Sequence, residues 1–159
     1  MAPRVAIVTG GDQGLGRTMA TALAKSGWDV AFSYIRDEGP ARTVEEEIKR
    51  TGRDVWSARA DAGVKEEVER FHDGVANHCG RCATLLVNNA GVQTWSSLLD
   101  LQEAQWDLVI RTNLKGCFLN TQAAAKRMIN EHKRGTIINI GSACNKVPFP
   151  NLVDYTAGY

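Results

Sequence analysis

Three glycines open the chemistry of this chain. Gly10, Gly14 and Gly16, within Thr9-Gly10-Gly11-Asp12-Gln13-Gly14-Leu15-Gly16, make a G-x-x-x-G-x-G turn directly after an apolar run. Glycines there let backbone approach a pyrophosphate, and a following helix offers oriented N–H groups to the anion. A plain glycine-rich strand-to-helix turn is the other reading. No Lys-Ser/Thr pair follows, which argues against a P-loop. A second constellation is Asn88-Asn89-Ala90-Gly91. Adjacent asparagines at a strand end either tie neighbouring strands together, face a ligand, or satisfy their own turn. A third is Cys79-Gly80-Arg81-Cys82, with His72 and His78 nearby. One CxxC is a weak redox or zinc signal, since zinc wants four ligands around a compact turn. These residues are taken as incidental, with no metal site expected.

The elements that must position these residues alternate along the chain. Buried-strand patterns are expected at Val5–Gly10, Asp29–Tyr34, Asp54–Ala60, Ala83–Gly91 and Gly135–Ser142. Helical spacing joins Gly16 to Lys25, then Ala41, Val44 and Ile48, then Val64, Val68, Phe71 and Val75. A long helix is expected to carry Ile110, Leu114, Cys117, Phe118, Thr121, Ala125 and Met128 on one stripe. Alternation of this kind predicts an α/β, doubly wound parallel sheet of Rossmann type with five strands present. Ligands then bind at the carboxyl ends of the strands, where strand order reverses.

Composition narrows the function classes. The chain has 159 residues, 43% of them hydrophobic, and a formal net charge of +1. One domain, residues 1–159, is expected at this length. Acids and bases are interspersed, so no nucleic-acid footprint is expected. Apolar runs fall short of the ~20 residues that cross a bilayer, so no membrane partner is expected. Residues 1–30 lack a signal-peptide layout, which predicts a cytoplasmic protein.

Taken together and in order, Thr9–Gly16, Asn88–Gly91, Asn113, Ser142 and Tyr155 resemble the short-chain dehydrogenases/reductases, including glucose dehydrogenases and 3-oxoacyl reductase-like members. The resemblance covers the whole chain. It implies an oxidoreductase that moves a hydride between a nicotinamide cofactor and a small-molecule ketone, secondary alcohol or sugar, working as a homo-oligomer. It implies that the turn containing Gly10, Gln13, Gly14, Leu15 and Gly16 holds the pyrophosphate. Asn89, Ala90 and Gly91 line the adenosine–ribose side, Asn88 braces the sheet, and Asp61 lies near the adenine, although Asp61 also stands where it could cap a helix. Ser142 bonds the substrate oxygen, and Tyr155, 13 residues on, is the acid. Asn113 holds a local helix bend and a proton-relaying water. At the end of strand two, Tyr34 stands where an NAD site wants an acid, and Arg36 suits a 2′-phosphate. NADP is therefore expected, with NAD as the alternative: Gln13 replaces the base often found in NADP-binding relatives, and Asp37 reaches the ribose if strand two runs on. Lys146–Asn151, "KVPFPN", resembles the loop of sugar and glucose dehydrogenases, and Gln93, Thr94 and Trp95 are expected to border the substrate.

The chain departs from the family pattern in two respects. The family places a lysine four residues after the tyrosine, and here that position is Tyr159. A free tyrosine has a pKa of about 10 and needs a shift of about 3 units to exchange protons near neutrality. A phenol brings no positive charge to provide it, so the alternative function is a catalytically inactive nucleotide-binding or interaction module. The family's domain also continues further, so this chain is expected to be an N-terminal portion with later strands absent. Its fifth strand would then be an apolar edge prone to aggregation unless a partner covers it.

Overall fold

A computed structural model describes residues 4–159. Five parallel strands, β1 (Val5–Val8), β2 (Asp29–Tyr34), β3 (Val55–Arg59), β4 (Leu85–Asn88) and β5 (Thr136–Asn139), form one sheet in the order β3-β2-β1-β4-β5. β1 lies between β2 and β4, with Val8 opposite both Phe32 and Val87. Strand order reverses between β1 and β4, so their carboxyl ends frame the crevice.

Alternation along the strands separates two cores. Ala6, Val8, Val30 and Phe32 face α1 (Gly14–Lys25) and α2 (Glu38–Lys49), meeting Ala20, Ala24, Val44 and Ile48. Val5, Ile7, Ala31 and Leu86 face the other way, meeting Phe71 and Val75 of α3 (Lys65–Cys79) and Ala124 and Met128 of α5 (Gly116–Asn130). Continuous burial of β1 follows from helices on both faces. At the amino edge of the sheet, buried Asp29 binds Arg53 and Arg81, each at 2.7 Å. Those ion pairs hold one edge closed and leave the other for ligand.

The strands end earlier than their apolar runs suggest. β1 stops at Val8 because Gly10 turns into the left-handed region, φ +63°. β4 and β5 likewise stop at Asn88 and Asn139, where the side chains begin to bond across strands.

The long helix corrects its expected stripe. It is built as α4 (Glu103–Val109), a π-helical segment Ile110–Lys115, and α5. The wider π turn adds a residue and rotates the inward face. Val109, Asn113, Leu119, Ala123 and Met128 point inward, whereas Leu114 and Phe118 are 52% and 58% exposed. A short helix, α6 (Val153–Ala157), closes the described chain. Among the described residues no helix is long and apolar enough to cross a membrane.

Candidate functional site

The crevice begins with a latch between two turns. The Thr9 hydroxyl accepts the N–H groups of Asn89 (3.0 Å) and Ala90 (2.9 Å). The Asn89 side-chain amide donates in return to the carbonyls of Thr9 (2.9 Å) and Gly10 (3.0 Å). These bonds fix the glycine turn against the end of β4. A Cβ on Gly16 would stand 1.9 Å from the Gly10 carbonyl oxygen, so only glycine fits there. Gly14 has φ +53° and open space where a Cβ would point. Helix α1 starts here with Gln13 at its N-cap, no capping side-chain bond and no acid in its first turn. Its free N–H groups and positive dipole end therefore face the crevice, as an anion site requires.

Beyond this turn lies a cavity of about 340 Å³. Gly10, Gln13, Leu15, Gly16, Tyr34, Arg36, Asp61, Asn89, Ala90 and Gly91 all line it. Of the expected nucleotide-contacting residues, Gly14 alone is not on its wall. Asp61 is not a helix cap, because the N-cap of α3 is Val64. One Asp61 oxygen accepts the Gly63 N–H at 2.8 Å, and the other pairs with Arg111 at 3.0 Å. Sequence reasoning missed Arg111, which reaches the wall from the π segment. It also missed Asp12, a buried acid inside the glycine turn that lines the same cavity. An acid among glycines that face a phosphate was the available signal.

The glycine-turn composition thus yields a cradle that fits an adenine nucleotide. Its backbone amides suit a pyrophosphate, Arg36 suits a second phosphate, and Asp61 suits a polar edge of the base or ribose.

The residues expected to handle the proton stand at the other end of the edge. Ser142 accepts the Cys144 N–H at 3.3 Å and starts a 3₁₀ turn over Ala143–Asn145. Helix α6, carrying half-buried Tyr155, packs on this turn. Ser142 and Tyr155 thus come from adjoining elements, but no hydrogen bond joins them and neither lines the cavity beyond the glycine turn. Asp154, 1% exposed, anchors α6: it accepts the Tyr155 N–H at 2.8 Å and the Thr94 hydroxyl. Ser96 adds a bond from its N–H to the Asn151 carbonyl, at 3.1 Å. Of the three expected substrate-side residues, Thr94 is therefore an anchor, and Trp95 is exposed.

Asn113 sits in the π segment, where the helix departs from regular α geometry. Its side chain is committed to one neighbour, accepting the Val92 N–H (2.8 Å) and donating to the Val92 carbonyl (3.0 Å). It thereby fixes the loop that follows β4. Asn88 braces the sheet, donating to Asn139 at 2.9 Å and to the Thr121 hydroxyl at 3.0 Å.

Tyr159 packs edge-on against Tyr155, with ring centroids 4.8 Å apart. Burial first, and then the neighbouring Tyr155 phenol, push its pKa well above the ordinary tyrosine value. It stays a neutral phenol and lends Tyr155 no positive charge. The CxxC lies between α3 and β4, and burial pushes the Cys82 thiol up to about 11, against thiolate chemistry. His72 bonds Asn120 and His78 faces Asp54. No group of three His, Cys, Asp or Glu side chains among the described residues is placed to hold a metal ion.

Comparison with known proteins agrees with this geometry. Residues 4–158 match the sequence profile of the short chain dehydrogenases. The 3-oxoacyl-[acyl-carrier-protein] reductase FabG of Staphylococcus aureus (strain Mu50) is 38% identical over 152 residues, 96% of this chain and 61% of that protein. Among solved structures, a metagenomic short-chain oxidoreductase in complex with NADP superposes with a TM-score of 0.88 at 38% identity, over 98% of this chain and 69% of that one. Acetoin dehydrogenase YohF from Salmonella typhimurium superposes with a TM-score of 0.91 at 32% identity, over 98% of this chain and 61% of that one. The chain therefore spans about 61% of the length of the curated relatives that it matches first.

Proposed function

The chain belongs to the short chain dehydrogenase family, and from that premise we propose that it binds NADP for hydride transfer to or from a small-molecule ketone, secondary alcohol or sugar. One observation carries this reading: the glycine turn, the end of β2, Asp61 and Asn89–Gly91 converge on a single cavity at the β1–β4 reversal. Arg36 on its wall and the NADP complex of a 38%-identical neighbour favour NADP over NAD. Asp12 on the same wall opposes a second phosphate by like charge and limits the preference.

In this reading the amides of the glycine turn and of the first turn of α1 hold the pyrophosphate, and Arg36 meets the 2′-phosphate. Ser142 bonds the substrate oxygen. Tyr155 delivers or removes the proton at that oxygen. Asn113 keeps Val92, and with it the wall after Gly91, in place. When bound, the nicotinamide supplies or accepts the hydride. A homo-oligomer in the cytoplasm completes the proposal, with outward-facing Leu114 and Phe118 as the apolar surface available to a second copy.

Titration calorimetry with NADP and NAD, on the wild type and on Arg36→Ala, tests the cofactor. An NADP affinity unchanged by Arg36→Ala would sink the assignment. A turnover assay over a panel of ketones, sugars and secondary alcohols tests the reaction. Tyr159 favours the second reading, a nucleotide-binding module without turnover, because it leaves Tyr155 no cationic neighbour four residues on. Binding without activity on any panel member selects that form.

A further inference from the structure

Two cavities run along the carboxyl edge of the sheet, and Tyr159 stands at the wall between them. The larger one reaches Gly91. The smaller, about 240 Å³, lies on the far side and is lined by Thr9, Asn113, Cys117 and Tyr159. They share Ala62 and Ala90. The Tyr159 hydroxyl rests against Gly91: a Cβ built on that glycine would lie 3.0 Å from it, and 3.4 Å from the Asn113 Oδ1. Phenol and carboxamide therefore close over the same residue.

Neither group yields easily. Both amide atoms of Asn113 are bound to Val92. The Tyr159 ring packs edge-on against Tyr155, with centroids 4.8 Å apart. A ligand that ends at Gly91 leaves this wall intact. A ligand that runs the length of the edge must displace the ring, and the phenol offers it no charge in exchange.

We propose that Tyr159 partitions the crevice, so that the protein selects a phosphorylated adenosine, the adenosine half of a dinucleotide, over the whole dinucleotide. The proposal rests on the nucleotide-binding part of the function given above and bears on its second form. The chemistry agrees with it, since the start of α1 and the guanidinium of Arg36 line the larger cavity, which Tyr159 does not enter.

Calorimetric titrations of adenosine 2′,5′-bisphosphate and of NADP, on the wild type, Tyr159→Ala and Tyr159→Phe, test it. The wild type is expected to bind the bisphosphate at least as tightly as NADP. Tyr159→Ala is expected to tighten NADP by about ten-fold and to leave the bisphosphate within about two-fold. Tyr159→Phe keeps the ring but removes the hydroxyl that rests against Gly91, and is expected to tighten NADP by less than Tyr159→Ala does. Tighter wild-type binding of NADP than of the bisphosphate overturns the partition and leaves the nucleotide site standing. So does a Tyr159→Ala variant that fails to tighten NADP, or that moves both ligands together. If the wild type binds neither ligand, the nucleotide site itself is wrong and the partition falls with it.

Discussion

The glycine turn after β1 and the short helix α6 after β5 both sit on the carboxyl edge of one sheet, yet they are held in opposite ways. The glycine turn leaves a strand buried on both faces, and four hydrogen bonds to the end of β4 lock it. α6 follows an edge strand whose Ile138 is 42% exposed, by way of a loop exposed from Asn145 to Pro150. Besides its packing on α4 and the 3₁₀ turn, it is held by buried Asp154, which takes the Thr94 hydroxyl, and by a backbone bond from Ser96 to Asn151 just ahead of it. The proposed nucleotide end is thus part of the sheet's own core, while the proposed proton-transfer end is an attachment to it. Damage to the first should propagate to the fold, and damage to the second should stay local.

Gly16→Ala is the strongest way to break this contrast. A Cβ 1.9 Å from the Gly10 carbonyl cannot be accommodated without moving the latch. A loss of about 3 kcal/mol in urea denaturation is expected, together with loss of nucleotide binding. A stable, binding-competent variant would mean that the turn is softer than the contrast requires.

Acid probes the opposite face of the sheet, where α3 meets α5. His72 joins α3 to α5 through Asn120, and burial holds its pKa at about 4, against an ordinary 6.5. The unfolded chain takes up a proton between those values and the folded chain does not. Stability is therefore full above about pH 6.5 and falls as the pH drops, levelling out near pH 4. The loss approaches about 3 kcal/mol at 1.36 kcal/mol per unit. Arg127 opposes the proton, and Glu69 and Asp73 favour it. Urea midpoints measured from pH 7 to pH 4 should show the slope in the wild type and a flatter line in His72→Gln.

Asp154→Asn tests the other side. It weakens the bonds to Thr94 and to the backbone of Tyr155, at a cost of about 1–2 kcal/mol. Hydrogen exchange should rise in residues 151–159, while affinity for the bisphosphate holds. A fall in that affinity would show that the two ends are coupled. The smallest effect is expected from Asp12→Asn. Removing its charge from the cavity should tighten both cofactors, NADP by about five-fold and NAD by less, with the gain shrinking as salt rises.

The legible parts of this molecule were those set by local pattern. Asp29–Tyr34 emerged with both ends correct, because the flanking segments are polar or glycine-bearing and an apolar run fills its middle. The β1–β4 adjacency and the nucleotide wall followed from the alternation of strands and helices. The stripe on the long helix did not emerge, since a period of 3.6 residues cannot register a π turn in advance. Arg111 was invisible because its partner, Asp61, lies 50 positions away and meets it only in the folded chain. Asp154 was overlooked for a related reason: an acid in the first turn of a helix reads as an ordinary dipole partner until burial shows it to be an anchor.

The π segment also sets a length rule for this protein. Asn113 reaches Val92 from inside it, and the helix downstream still presents Leu119, Ala123 and Met128 to the core. Deleting one residue between 110 and 115 would restore a regular helix with α4 and α5 still in phase, but it would remove the widened turn from which Asn113 reaches Val92. The wall after Gly91 would then lose its brace while α5 kept its face to the core. Substitutions in this stretch are graded in their effect, whereas a single-codon deletion there unfastens the crevice wall and spares the core.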